Sequence, residues 1–150
     1  PRSRRSLECG RVRVDFIARR DMGETSVIAR DTPTGVLRVA SPAATAVELV
    51  GYLERCGFLD NVATTLAELA ESIDGELLEA EARRAPVAWT QRLGYLLALV
   101  GQDDLADRLD GVLAERNVFN VALAPWKDAG GALRDSRWQV SVNTEVEPDV

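Results

Sequence analysis

The sequence predicts an α+β domain in which short antiparallel strands at both ends flank a central cluster of about five helices. Two observations predict it. Apolar residues alternate with polar ones in short runs before residue 41 and again over residues 137–143, whereas from residue 41 to residue 116 they recur every third or fourth position. These are the periods of strands and of helices. The length fits that architecture, because a chain of 150 residues buries roughly 70% of its unfolded surface in one core.

The strands come first. "RVRVDFIAR" (residues 11–19) places Val12, Val14 and Phe16 on one face and Arg11, Arg13 and Asp15 on the other, the pattern of a half-buried strand. "SVIAR" and "GVLRVA" are further β-prone runs around "DTPTG", whose Pro33 and Gly35 supply turn chemistry. The first forty residues therefore read as a small antiparallel sheet.

At Ser41 the period turns helical. "SPAATAVELVGYLERCG" offers Ser41 as N-cap, Pro42 at the first helical position, an apolar face of Val47, Leu49, Val50 and Leu53, and Gly57 as a stop. A second helix is expected from Asp60 through Leu66, Leu69 and Ile73. The third, "DGELLEAEARRA", must end before Pro86, since proline disfavours the α conformation in the residue ahead of it. The fourth covers residues 87–100 and closes at Gly101, with Leu93, Leu96, Leu97 and Val100 sharing one side. Gly94 interrupts that stripe at a cost of about 1 kcal/mol relative to alanine. We expect another backbone to pass close by it. The fifth helix, "DDLADRLDGVLAER", carries Leu105, Leu109, Val112 and Leu113 on one face, with Asp103 or Asp104 as its cap. Short connections make these helices antiparallel neighbours.

Strands then return. "VFNVALAP" is β-prone, "WKDAGGALRDS" reads as a loop broken at Gly130 and Gly131, and "RWQVSVNTE" alternates with Trp138, Val140 and Val142 inward. The strands of the two ends are expected to share one sheet.

Charge is uneven. Residues 1–30 hold eight arginines against four acids, a balance of +4, while residues 31–150 hold ten basic residues against twenty acids, a balance of −10; together they give the net −6. An acidic bulk is a poor footprint for nucleic acid. The basic start is the exception, and Arg11, Arg13, Arg19 and Arg20 are the candidate contacts for phosphate or for an acidic partner surface. Residues 1–9 read as a flexible arm or linker remnant, and the first residue, Pro1, suggests a piece of a longer chain.

Much chemistry is excluded by composition. The chain has no histidine and only two cysteines, Cys9 and Cys56, so serine or cysteine triads with histidine and the usual zinc sites are ruled out. Neither a P-loop nor G-x-G-x-x-G is present. An acid two positions before lysine, as some nucleases require, is missing too: Lys127 is the sole lysine and Pro125 stands there. The acids at Asp103, Asp104 and Asp107 and at Glu145, Glu147 and Asp149 read as helix-start and solvated charges, with a magnesium site as the alternative. Arg83, Arg84 and Arg92 read as helix-surface residues. No catalytic residue, metal ligand or cofactor is expected. No apolar run has the length of a membrane helix, and "PRSRRSLECG" lacks the apolar segment of a signal peptide. A cytoplasmic location follows as the expectation.

A family resemblance adds to this reading. "GVLRVASPAATAVELV", "FLDNVATTLAEL", "QRLGYLLALVG" and "RWQVSVNTEVEPD" together resemble the C-terminal domain of the AbiEi antitoxins, the type IV toxin-antitoxin regulators of bacterial abortive infection and phage defence. The matching elements are Ser41, Pro42 and Thr45 at a helix start, the Arg-Leu-Gly-Tyr-Leu-Leu helix at residues 92–97, and the Arg-Trp-x-Val-x-Val-Asn strand at residues 137–143. Ala43 and Ala44 depart from the charged residues common after Ser-Pro. The resemblance spans about residues 10–147. It implies a transcriptional regulator whose N-terminal winged helix, absent from these residues, binds operator DNA and represses its own operon. The C-terminal domain is implied to neutralise a nucleotidyltransferase toxin.

Three functions remain open at this point. The first is a non-enzymatic antitoxin and regulatory domain. The second is a divergent carboxylate-dependent nuclease or nucleotide-processing enzyme. The third is a dimerisation module of a DNA-binding repressor.

Overall fold

Five helices stand between strand pairs, as expected. In the computed structural model, which describes residues 5–19 and 23–149, the order is β1 (Leu7–Cys9), β2 (Val12–Val14), β3 (Val27–Thr32), β4 (Gly35–Ala40), α1 (Pro42–Gly51), α2 (Phe58–Leu69), α3 (Gly75–Arg84), α4 (Val87–Leu99), α5 (Asp103–Ala114), β5 (Val121–Ala122), β6 (Leu133–Asp135) and β7 (Val140–Val142). A short 3₁₀ turn, Ala70–Ser72, follows α2.

The strands form three separate sheets and not one. β1 pairs with β2, β3 pairs with β4, and the C-terminal sheet runs β5, β7, β6. The N-terminal strands do not meet the C-terminal ones. In the first hairpin the alternation of residues 11–19 does not bury a face, for Val12, Val14, Phe16 and Ile17 are all exposed. No layer covers this two-stranded ribbon, so its period-2 pattern has no core to point at. Leu7–Cys9, part of the expected arm, pairs here as β1. At the other end, β6 lies within the stretch read as loop, and β7 packs antiparallel to β6 but parallel to β5.

Helix starts follow local chemistry. Ser41 caps α1, its hydroxyl accepting from the Ala44 N–H at 3.1 Å, with Pro42 just inside. Asp74 caps α3 by accepting from the Leu77 N–H at 2.9 Å. α5 departs from expectation: its N-cap is Gln102 and no side chain caps it, while Asp103 and Asp104 lie in the first turn, where the helix dipole favours their charge. α1 stops at Gly51, six residues before the expected Gly57. Gly57 has φ +81 and opens α2 instead, a left-handed conformation natural to glycine.

α4 is the central element. Leu93, Leu96 and Leu97 are fully buried with Leu66 of α2, Leu78 of α3, Leu109 of α5, and Trp138 and Val140 of the C-terminal segment. The expected backbone neighbour of Gly94 is in fact a side chain. A Cβ placed there would lie 2.1 Å from the Trp138 indole.

Candidate functional site

The four arginines singled out from the sequence occupy different settings. Arg11 lies exposed in the turn joining β1 and β2, and Arg13 lies exposed on β2 beside Glu8 of β1. The Arg13 Nε donates to an Asp15 carboxylate oxygen at 3.2 Å. The Ser6 hydroxyl donates to the same oxygen at 2.5 Å. These bonds, Ser6's first, hold the Asp15 carboxyl below its usual range. Arg19 instead reaches α1, where its guanidinium pairs with Glu48 and both side chains are largely covered. Arg20 lies outside the described residues. Arg11 and Arg13 thus face outward, while Arg19 fastens the segment to the helices.

Sequence reasoning assigned Glu48 no role. A charge at a position adjoining the buried Val47 and Val50 was the available signal. Between residues 13–19 and α1 lies a cleft of about 550 Å³, lined in part by Ile17, Leu49, Tyr52 and Arg55. Cys56 borders it, and burial, aided by Glu48, pushes its thiol above the ordinary range.

The β3–β4 hairpin is joined to the helices by a polar junction. Glu81, buried in α3, accepts from the Ser26 N–H at 2.9 Å and forms an ion pair with Arg84 at 2.6 Å. The Ser26 carbonyl accepts from the Ser41 N–H at 2.8 Å, and the two serine hydroxyls bond each other. A buried carboxylate is tolerated because its partners replace water.

The residues that carry the family resemblance prove to hold the scaffold together. Arg92, expected at the surface, is half-buried and donates through Nε to the Ala122 carbonyl at 3.0 Å. Burial lowers its pKa from the ordinary value. Beside it the buried Gln91 donates to the carbonyls of Phe119 at 2.7 Å and Trp138 at 2.9 Å. Asn143 accepts from the Ala124 N–H at 2.9 Å and donates to the carbonyls of Ala124 and Lys127 at 2.9 and 3.0 Å. Arg137 stacks on Trp138 with its guanidinium carbon 4.6 Å from the ring and pairs with Asp107 at 2.5 Å and Asp110 at 3.6 Å. Those acids, Asp107's hydrogen bond above all, raise the Arg137 pKa. Gln91 and Arg92 thus tie α4 to the C-terminal segment, Asn143 ties that segment to its own turn, and Arg137 joins it to α5.

The terminal acids likewise lie along α2. The N–H of Glu147 donates to Asp60 at 3.0 Å and that of Asp149 to the Thr64 hydroxyl at 2.9 Å. Among the described residues, no three His, Cys, Asp or Glu side chains converge as metal ligands would. Among them, too, no helix is long and apolar enough to cross a membrane.

A second cleft, of about 440 Å³, opens where α1 ends, between α4 and the turn at Pro125 and Trp126. Tyr52 and Trp89 meet edge to face along one side, with ring centres 5.6 Å apart. Phe58 and Trp126 do so on the other at 5.1 Å. Sequence reasoning assigned these aromatics no role, since they are scattered over four segments and only the fold gathers them.

Comparison with known proteins bears on the whole chain. Residues 1–99 match the family model for the AbiEi antitoxin C-terminal domain, a span that includes the Ser41 cap and residues 92–97 but ends before the Arg137 strand. Curated protein sequences give no match. Among solved structures, the crystal structure of the RV2827C protein from Mycobacterium tuberculosis is similar, with a TM-score of 0.51 at 22% identity. The likeness covers 69% of this chain and 35% of that one, and it is a likeness of fold. With two thirds of its length matched by the family model, this chain belongs to the AbiEi antitoxin C-terminal domain family.

Proposed function

We propose that this domain is the non-enzymatic half of a cytoplasmic antitoxin and regulator: it neutralises a nucleotidyltransferase toxin and supports autoregulation of its operon. Operator DNA is then read mainly by a winged-helix domain preceding residue 10. The observation that carries the reading is the family match over residues 1–99. The exposed position of Arg11 and Arg13 on the first hairpin supports a contact there with phosphate or with an acidic partner surface. Arg19, paired with Glu48, holds that hairpin in place, and Arg20 extends the same basic stretch.

Growth rescue tests this. The full-length protein and residues 1–150 are each co-expressed with the nucleotidyltransferase encoded beside the gene. Rescue by both locates neutralisation in this domain, and Arg11→Glu with Arg13→Glu is expected to abolish it while the melting temperature holds. Loss of rescue in neither form of the double variant refutes the role of the hairpin. Failure of rescue by the folded, expressed full-length protein refutes the antitoxin reading.

A further inference from the structure

The cleft at the end of α1 is built unlike the rest of the surface. Its volume lies in the range of small-molecule sites, and it is lined by three aromatic side chains, Tyr52, Trp89 and Trp126, and by two arginines, Arg55 and Arg92, against one acid, Glu54; Phe58 meets Trp126 from outside the lining. In a chain of net charge −6, six of the fourteen described arginines, Arg13, Arg19, Arg83, Arg84, Arg108 and Arg137, pair with carboxylates, and two of the eight that do not stand together at this cleft. Among the described residues, Arg55 and Arg92 have no carboxylate within ion-pairing distance. Arg92 is the costlier case. It is half-buried and spends only its Nε on Ala122, which leaves the two terminal amino groups of a permanent cation to the cleft.

The aromatic walls are held at a cost as well. A Cβ on Gly51 would fall 2.4 Å from the Trp89 ring, so that indole lies against bare helix backbone. Phe58 has φ +64, a conformation a bulky side chain adopts only under constraint. Its ring gains little burial in return, being 48% exposed. It meets Trp126, itself 37% exposed, edge to face.

Ring faces recognise planar aromatic groups, and a guanidinium with free paired N–H groups recognises phosphate. A ligand that satisfies both within one cleft carries a base and a phosphate. We propose that this cleft binds a phosphorylated nucleoside, its base against Trp89 or Trp126 and its phosphate on Arg55 and Arg92. The chemistry is shared by a free mononucleotide and by a nucleotide within a single strand. The proposal does not depend on toxin neutralisation.

The test is a titration of the full chain with AMP, followed through the indole N–H resonances of its three tryptophans. Trp138, 2% exposed, serves as the silent reference. Saturable shifts of Trp89 and Trp126, with Trp138 unmoved, are expected. Adenosine and ribose 5-phosphate, each lacking one half of the ligand, are expected to bind at least about tenfold more weakly, as are Arg55→Ala and Trp126→Ala with AMP, since one stacked base or one charged contact accounts for about that factor. Arg55 is exposed, makes no direct ion pair among the described residues and acts on Asp15 only at longer range, so its variant keeps the melting temperature. An oligomer of deoxyadenylate binding more tightly than AMP assigns the site to a strand, and AMP binding as well or better assigns it to the free nucleotide. No saturable shift at millimolar AMP overturns the proposal. So does equal binding of ribose 5-phosphate and AMP, or binding unchanged in both variants.

Discussion

Replacing Gly94 by alanine adds one methyl group to the middle of α4, and helix propensity alone says that this stabilises by about 1 kcal/mol. The packing says the opposite. The new carbon would stand 2.1 Å from the Trp138 ring, where non-bonded carbons rest at about 3.5–4.0 Å. The indole has nowhere to retreat. Its N–H backbone donor is held by Asp135 at 2.9 Å, its carbonyl accepts from Gln91 at 2.9 Å, and Arg137 covers the ring. Forced overpacking costs about 1–3 kcal/mol. Complete expulsion of the indole, about 200 Å² at about 25 cal/mol/Å², sets an upper limit near 5 kcal/mol. Net of the propensity gain of about 1 kcal/mol, overpacking leaves a loss of up to about 2 kcal/mol and full expulsion one of about 4 kcal/mol, so Gly94→Ala is expected to lose about 1–4 kcal/mol, a fall in melting temperature of roughly 2–15 °C for a chain of this size. Urea unfolding followed by circular dichroism and by tryptophan emission measures it. Gly111 is the control: it sits exposed in α5 with nothing within 4 Å of its Cβ position, so Gly111→Ala should gain about 0.5–1 kcal/mol. If both substitutions shift stability in the same direction, the account of α4 packing is wrong.

Asn143→Ala removes three bonds to the backbone of residues 124–127 and is expected to cost about 2–3 kcal/mol, with amide exchange accelerated first in that turn; an unchanged midpoint excludes the clamp. Glu79 accepts from Arg108 at 2.8 Å and from Arg83 at 3.3 Å, and these bonds, Arg108's first, hold its carboxyl below the ordinary 4.5. A carboxyl depressed by folding adds stability above its unfolded pKa and loses it as the pH falls through the folded one. The stability difference between the natural chain and Glu79→Gln should therefore persist at neutral pH and close below about 4.5; a difference independent of pH removes the ion pair as its source.

Local chemistry made much of the helical region legible. Ser41, Pro86 and Gly101 mark boundaries by mechanisms that act within one turn, and all three operate in the structure as they read in the sequence. Gly57 misled because a left-handed glycine ends one helix or begins another with the same φ. Pairing among strands was least legible. β5 and β6 have two and three residues, too short for periodicity to register, and they exist because β7 lies between them. The site divides in the same way. The exposed arginines could be read from charge, whereas the pairing of Arg19 with Glu48 and the gathering of Tyr52, Phe58, Trp89 and Trp126 depend on contacts distant in sequence.

The junction of Ser26, Ser41 and Glu81 sits at the foot of the β3–β4 hairpin, and nearly every residue beyond it is exposed. A two-stranded ribbon without a covering layer has little stability of its own. Its ladder is therefore expected to open as a separate unit while the helices stay packed. The serine hydroxyls and the buried carboxylate then act as a bulkhead: fraying from the tip near Gly35 is expected to stop at Ser26, before it reaches the cap of α1.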